Sequence, residues 1–598
     1  MMRGHWVERF RTGLQLMEHM SKTQAEVCPP AETSEEPRKS GWTIATPGLL
    51  MVLLIVGLWI LAALLINPRG EFPLNDDWCY SGTVKALLEG GGVKLPGCSS
   101  PNIIAQILWG ALFCLPFGFS FVALRISTLT LGVIGVLALY GLLRETGAER
   151  GTALFGALLL AFNPLYLVLS YTFMSDVPFT AVSLVSFYFL VRGLKRSLRL
   201  EIAAGLFFAC LALLIRQNGL AIFIAFGLAY LAKSGLRLRN ILLASIPVAL
   251  GGAVQLLWQM WLTHKHIFLP VYTRQAKWMT SPDFSWQAAT SFVRGLAIIS
   301  VYLGLFLLPL LLFVGRTKLA ELCRSRLLNL TAVLLVVWAA FLLRHQQMPF
   351  LPNVLYDLGL GPATLRDSFL LKLPSLPTAG KTFWLVVAFV GLAGAFVLLQ
   401  MTFLALGEAL NIRPISAPKR VPLVLLFAAG LVYLAPMAML FIDIELAFDR
   451  YLLFLVAVGI PVVILMVSNL SPGRAGSAIR TVAIASLVLY GTFSIAGTHD
   501  YLSWNRARWQ ALNNLAVEQR VTPIDIDGGF EFNGWYLYDL NYIPRLKKSW
   551  WWVFRDDFMV TFGPVPEFTE IRRYPFRRWL PPGEGNILVL RRSTLDPR

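Results

Sequence analysis

The chain has 598 residues, 56% of them hydrophobic and only 14% charged, with a mean hydropathy of +0.63 and a formal net charge of +18. A soluble fold of this length could not cover that much apolar surface, so the composition reads as a polytopic membrane protein. The basic residues form no groove-lining patch but fall in short loops between apolar runs, which argues against a nucleic-acid partner.

Residues 1–46 are polar and mixed in charge, with Pro29-Pro30 and no apolar core of the signal-peptide kind. They are expected to form a disordered cytoplasmic tail. The first apolar run, 48–66, is therefore expected to remain as a transmembrane helix. A long external loop, 67–120, follows and opens with Asn75-Asp76-Asp77-Trp78-Cys79-Tyr80. Adjacent carboxylates between aromatics at a membrane edge either serve a site or sit in water. Within this loop, 101–119 carries Pro101 and Pro116 and reads as an interfacial helix pair. Cys79 and Cys98 share the loop and could pair in an oxidising compartment.

Spanning takes about 20 apolar residues per helix. Twelve more spans are expected, at 121–143, 151–170, 177–193, 200–215, 217–232, 240–262, 292–314, 327–343, 383–407, 421–441, 451–468 and 479–497, thirteen in all. The loops 144–150, 192–199, 233–239, 316–326, 413–420 and 474–480 are short and rich in Lys and Arg, and the opposite loops are longer and sparser in them. That asymmetry predicts a cytoplasmic N-terminus, and an odd helix count puts the C-terminus outside. Residues 498–598 lose the hydropathy and read as a small external, periplasmic α/β domain. Its opening, Asp500–Gln519, reads as an amphipathic helix, and Ile524–Asp527 as a strand before a Gly-Gly turn.

The predicted outside face gathers Asp76 and Asp77, then Asp176, then Arg216-Gln217-Asn218. His264, His266, Arg274 and Lys277 follow, and then Asp443, Glu445, Asp449 and Arg450. Carboxylates and cations on one membrane face suit a reaction on a charged lipid held at the interface. A carboxylate can take a proton from an attacking hydroxyl, and an arginine can fork onto a phosphate. Each residue also has a plainer reading. Asp176 is a good helix start, Arg216 can snorkel, and Arg450 can pair with Asp449 or Glu445. His264 and His266 at a loop edge are more often solvated than metal-bound.

In this order and sidedness the motifs resemble the GT-C superfamily of polyprenyl-phosphate-sugar glycosyltransferases. The nearest group is that of the protein O-mannosyltransferases and the lipid A aminoarabinose transferases. The residues carrying the resemblance are Asp76-Asp77-Trp78-Cys79-Tyr80, Asn163-Pro164 with Ser175-Asp176-Val177-Pro178, Leu214-Ile215-Arg216-Gln217-Asn218-Gly219 and Asp449-Arg450-Tyr451. Two positions depart from the family's habit: Asp77 stands where Glu is usual, and Arg216 where Lys is more frequent. The resemblance spans 48 to about 497. It implies an inverting glycosyltransferase in the bacterial inner membrane, moving a sugar from a polyprenyl-phosphate donor to a hydroxyl on a glycan, lipid or protein at the outer face.

Under that reading Asp76 is the general base, and Asp77 and Asp176 position it or the acceptor. Arg216, Arg450, Tyr80, Gln217 and Tyr451 hold the donor. The scheme has room for a divalent metal ion without requiring one, since cations already face the phosphate. A lipid-linked-sugar flippase or other transporter is the alternative; it would need polar groups along a path through the helices. A third reading, a scaffold presenting the C-terminal domain, makes the external carboxylates replaceable.

Overall fold

The computed structural model describes residues 46–267, 269–270, 273, 285–314, 348–351, 353–410, 417–440, 447–466, 476–544 and 551–593. The chain divides into two compact units, 1–50 and 51–598, and of the first only 46–50 are described, as the opening turn of a helix. Among the described residues nine helices are long and apolar enough to cross a membrane. The protein is an α-helical, polytopic, integral membrane protein with a small C-terminal sheet.

Helix α1 is Thr46–Ile66, and after the loop come α2 (Asp77–Leu88), α3 (Ile104–Cys114) and α4 (Phe121–Glu145). The expected interfacial pair at 101–119 is thus one helix, α3, followed by a turn. The expected span 151–170 is two helices, α5 (Arg150–Ala161) and α6 (Pro164–Leu169). The break has a local cause. Asn163 accepts from the backbone N–H groups of Leu165 and Tyr166, and Pro164 fills the first helical position, where no N–H is needed.

Next come α7 (Asp176–Arg196), α8 (Arg199–Ile215), α9 (Leu220–Ser234) and α10 (Leu238–His264). A single 3-10 turn, Gln217–Gly219, joins α8 to α9. Helices α11 (Trp286–Phe306), α12 (Gly380–Ala409), α13 (Ala417–Leu440) and α14 (Leu453–Met466) complete the bundle, and α15 (Ser477–Asn513) leaves it. The expected span 327–343 lies outside the described residues, as do Arg274, Lys277, Asp443 and Glu445. The apolar core of α7 is 78% buried, whereas those of α1 and α10 are 22% buried. So α7 runs through the middle, and α1 and α10 present Leu and Ile side chains outward, as a lipid-facing helix must.

The 37 residues of α15 make a rod of about 55 Å, nearly twice the roughly 30 Å of a bilayer core. The expected domain boundary at 497/498 therefore falls inside one continuous helix. The segment Asp500–Gln519, read as an amphipathic helix, is helical, as the far part of α15 and the turn that ends it. Onto this half packs a mixed sheet of order β3-β4-β6-β5, with β3 Ile526–Asp527, β4 Phe558–Thr561, β5 Phe568–Trp579 and β6 Pro582–Arg592. Strands β3 and β4 are parallel and the other pairings antiparallel. A hairpin of β1 (Leu355–Tyr356) and β2 (Gly359–Leu360) packs its second strand against α15, and a short helix α16 (Phe530–Leu537) packs against α2. Residues 51–598 are one compact unit, so the sheet is continuous with the bundle.

Candidate functional site

The site begins with a buried arginine. Arg125, in α4, donates from Nη1 to the carbonyls of Pro68 and Gly70, from Nη2 to that of Phe72, and from Nε to that of Tyr171. One guanidinium thus gathers the loop that follows α1. A buried charge needs such full coordination to be tolerated. The loop then turns at Asn75, whose φ of 56° is left-handed, a conformation asparagine accepts more readily than most residues.

The two carboxylates after Asn75 part company. Asp77 is buried and accepts from the backbone N–H groups of Leu74 and Phe173. Burial pushes its pKa well above the usual carboxylate range, against those hydrogen bonds and Arg125. Asp76, at the head of α2, keeps a side chain 30% exposed, and its Oδ2 lies 2.8 Å from Arg450 Nη1. Of the pair, Asp76 faces the open side and Asp77 ties the loop to the segment before α7.

A second acid–arginine pair stands beside the first. Asp176, the first residue of α7, has Oδ1 2.9 Å from Arg216 Nη2, and Arg216 Nε donates to Ser175 Oγ at 2.9 Å. Arg216 ends α8, so a short turn delivers it to the start of α7. Arg450 is delivered by the 3-10 turn Asp449–Leu452. That turn is fixed by Asp449, which accepts from the N–H groups of Val354 and Leu355 instead of pairing with Arg450.

The two arginines, without their acids, share a cavity of about 60 Å³, whose lining includes Tyr80, Arg216, Gln217, Tyr433, Arg450 and Tyr451. The ring of Tyr451 stands between the guanidiniums, its centroid 5.8 Å from Arg216 Cζ and 5.6 Å from Arg450 Cζ. Tyr433 Oη donates to the Tyr451 carbonyl at 2.9 Å. Burial first, and then the Asp76 charge, push the Tyr80 phenol up, so it remains a donor at any working pH. Among the described residues Arg450 Nε and Asp176 Oδ2 have no hydrogen-bond partner. Each arginine carries five N–H donors, so both keep donors for a further anion.

The cavity floor is braced by residues that the sequence did not single out. Asn102 Nδ2 donates to the Leu213 carbonyl, and Ile103 N–H to that of Ile215. Gln106 Nε2 donates to the Phe173 carbonyl. Gln217 Nε2 donates to the Ser100 carbonyl at 3.3 Å, so this residue both lines the cavity and holds its wall. A Cys79–Cys98 disulfide ties α2 to the same wall. Arg125 carried a legible signal, a charge inside an apolar run; Asn102 and Gln106 carried none. His264 and His266 are exposed at the end of α10, and no three His, Cys, Asp or Glu side chains gather as a metal site among the described residues.

Residues 103–263 match the family model described as dolichyl-phosphate-mannose-protein mannosyltransferase, which bears out the resemblance over α3 to α10, the stretch holding Asp176, Arg216 and Gln217. No curated protein matches the chain. Solved structures are also similar in backbone, among them the following. ArnT from Cupriavidus metallidurans bound to undecaprenyl phosphate is 15% identical, with a TM-score of 0.41, covering 93% of this chain and 100% of that one. The same protein in the apo state is 14% identical, with a TM-score of 0.38 and the same coverage. An Archaeoglobus fulgidus oligosaccharyltransferase tethered with an acceptor peptide is 11% identical, with a TM-score of 0.38, covering 78% of this chain and 58% of that one. Backbone agreement this loose carries no residue and no activity from those proteins to this chain.

Proposed function

We propose that the protein is an inverting glycosyltransferase that moves a sugar from a polyprenyl monophosphate to a hydroxyl acceptor at the outer face of the membrane. The observation that carries the reading is that Arg450 and Arg216, each paired with an acid, Asp76 and Asp176, line one cavity at the helix ends. The family match over residues 103–263 supports the same chemistry. The acceptor oxygen attacks the anomeric carbon from the side opposite the phosphate. The bond from that carbon to the phosphate oxygen breaks, polyprenyl phosphate leaves, and the acceptor's proton passes to Asp76.

Arg216 and Arg450 hold the phosphate and meet the charge it gains on leaving, the largest electrostatic demand of the step. Arg450 also touches Asp76, so the same guanidinium aligns the base with the leaving group. Asp176 orients Arg216, and Tyr80, Gln217 and Tyr451 close the walls around the donor. Asp77 holds the loop rather than the substrate.

The site is assigned to the outer, periplasmic side, with the N-terminus cytoplasmic and the C-terminus outside. Two features support this orientation: basic residues crowd the short loops of the opposite face, and the disulfide belongs to an oxidising compartment. The deciding experiment incubates purified protein in lipid nanodiscs with a polyprenyl-monophosphate sugar and cell-envelope acceptors. Release of polyprenyl phosphate and a sugar-sized mass gain on an acceptor support the reading. No release, together with envelope glycans unchanged in cells lacking the protein, overturns it and favours a transporter.

A further inference from the structure

The two residues flanking the acid pair are both held by the C-terminal segment. On one side, Asn75 N–H donates to Glu531 Oε1 at 3.0 Å. Glu531 stands in α16, wholly buried, and its Oε2 accepts from Arg508 Nη1 at 2.7 Å and Thr364 Oγ1 at 2.6 Å. Arg508, in the extramembrane half of α15, also donates to the Gly528 carbonyl from Nε and Nη2. Both charges of this pair are thus enclosed and hydrogen-bonded, the condition under which a buried ion pair fixes one geometry.

On the other side, the Trp78 ring lies against the backbone of α16. A Cβ at Gly534 would come within 2.4 Å of Trp78 Cε2, so the approach requires glycine. The rings of Phe530, Tyr538 and Trp552 surround the same indole, with centroids 5.9, 5.2 and 5.4 Å away. Asp76 and Asp77 are therefore strung between two anchors, and neither anchor belongs to the transmembrane bundle.

We infer that Glu531 and Gly534 are positioning residues for the Asp76 carboxylate, and that Arg508, residues 528–538 and Trp552 are part of the working site rather than an appendage. The inference rests on the glycosyltransferase reading for its kinetic consequence, but the anchoring itself can be measured without it. An error of about 1 Å in placing a reacting group can cost roughly 100-fold in rate. The anchors act on the base directly and reach Arg450 only through it, so their loss lowers kcat more than it raises the donor KM.

Two single variants and one double variant of the full-length protein in nanodiscs test this. Glu531→Gln has one oxygen where the native side chain offers two, so it cannot serve both Asn75 and Arg508. Hydrogen exchange across residues 72–78 should quicken at least about 10-fold while exchange in α7 and α14 stays as in wild type. Gly534→Ala pushes on Trp78 and should cut kcat by about 10- to 100-fold. Trp78→Phe in the same chain makes room and should recover much of the loss, which a general loss of stability would not do.

Unchanged exchange at 72–78 in Glu531→Gln overturns the anchoring. A Gly534→Ala enzyme with wild-type kcat, or one that Trp78→Phe does not rescue, overturns the positioning role. If Glu531→Gln does not fold, the Gly534→Ala pair decides alone. If the wild-type protein transfers no sugar, the proposed function fails, and the exchange measurement still decides the anchoring.

Discussion

Arg450 Nη1 sits 2.8 Å from Asp76 Oδ2, joining the late 3-10 turn before α14 to the loop after α1. The contact leaves Arg450 Nε without a partner among the described residues, beside a cavity that also receives Arg216. The guanidinium is therefore oriented by one acid and keeps a donor edge for a phosphate.

Removing either arginine should weaken donor use more than acceptor use. Each loses a charge-assisted contact, about 1.5–3 kcal/mol, so Arg216→Ala and Arg450→Ala should raise the donor KM by roughly 10-fold or more. Arg216→Lys keeps the charge and should fall between alanine and wild type, because an ammonium cannot reach both Asp176 and Ser175 as the guanidinium does. Steady-state kinetics with varied polyprenyl-phosphate sugar measures this. Wild-type donor KM in both alanine variants would make these arginines helix anchors only.

Asp77→Asn should act on the loop and not on the chemistry. The native carboxyl accepts N–H donors on both oxygens, from Leu74 and Phe173; an asparagine amide turns an N–H toward one of them. One unmet buried donor costs about 1–3 kcal/mol, so thermal stability should drop clearly while kcat falls far less than in an Asp76 variant. Differential scanning fluorimetry beside the transfer assay separates the two effects.

A pH effect is expected at the sheet. Burial pushes the Asp556 carboxyl up, but hydrogen bonds from Arg366 and Arg592, at 2.8 and 2.6 Å, outweigh it and hold the pKa below the usual range. A depressed carboxylate pKa contributes stability that is present above the unfolded value, near 3.8, and is lost as pH falls through the folded value. Unfolding scans from pH 6 down to about pH 3 should show this loss, and Asp556→Asn should flatten that acid limb. An identical slope in the variant would remove Asp556 from the account.

Much of the site was legible because polar residues at the ends of apolar runs stand out. Asp76, Asp176, Arg216 and Arg450 all announce themselves that way. Which acid meets which arginine was not legible, since local sequence offered Asp449 to Arg450, while the fold gives Asp449 to backbone N–H groups of the β1 strand and the residue before it. The break at Asn163-Pro164 carried its own signal, a helix start, but an unbroken apolar run hid it. That one helix crosses the end of the apolar run was not legible for a different reason. Hydropathy falls at 498, yet a helix needs no lipid to continue, and α15 runs on because the sheet buries its far half. Glu531 had no local signal at all, because its partners Asn75, Thr364 and Arg508 meet it only in the folded chain.

The strongest single test returns to Asp76. Its carboxylate is the more exposed of the adjacent pair and is already aligned by Arg450, which lines the cavity. General-base assistance contributes about 10²- to 10⁴-fold, so Asp76→Asn should cut transfer by roughly that much. Asparagine keeps the size and an oxygen for Arg450, so folding and membrane insertion should survive, and the donor KM should move little. Equal amounts of monodisperse wild type, Asp76→Asn and Asp77→Asn, assayed with one polyprenyl-phosphate sugar, give the comparison. If Asp76→Asn transfers at the wild-type rate, this carboxylate is not the base. If Asp77→Asn is the dead variant while its stability is intact, the two roles are exchanged, and the buried carboxyl must then open its bonds to Leu74 and Phe173 during the reaction. If both variants remain fully active, the carboxylates are replaceable and the transporter and scaffold readings gain over transfer.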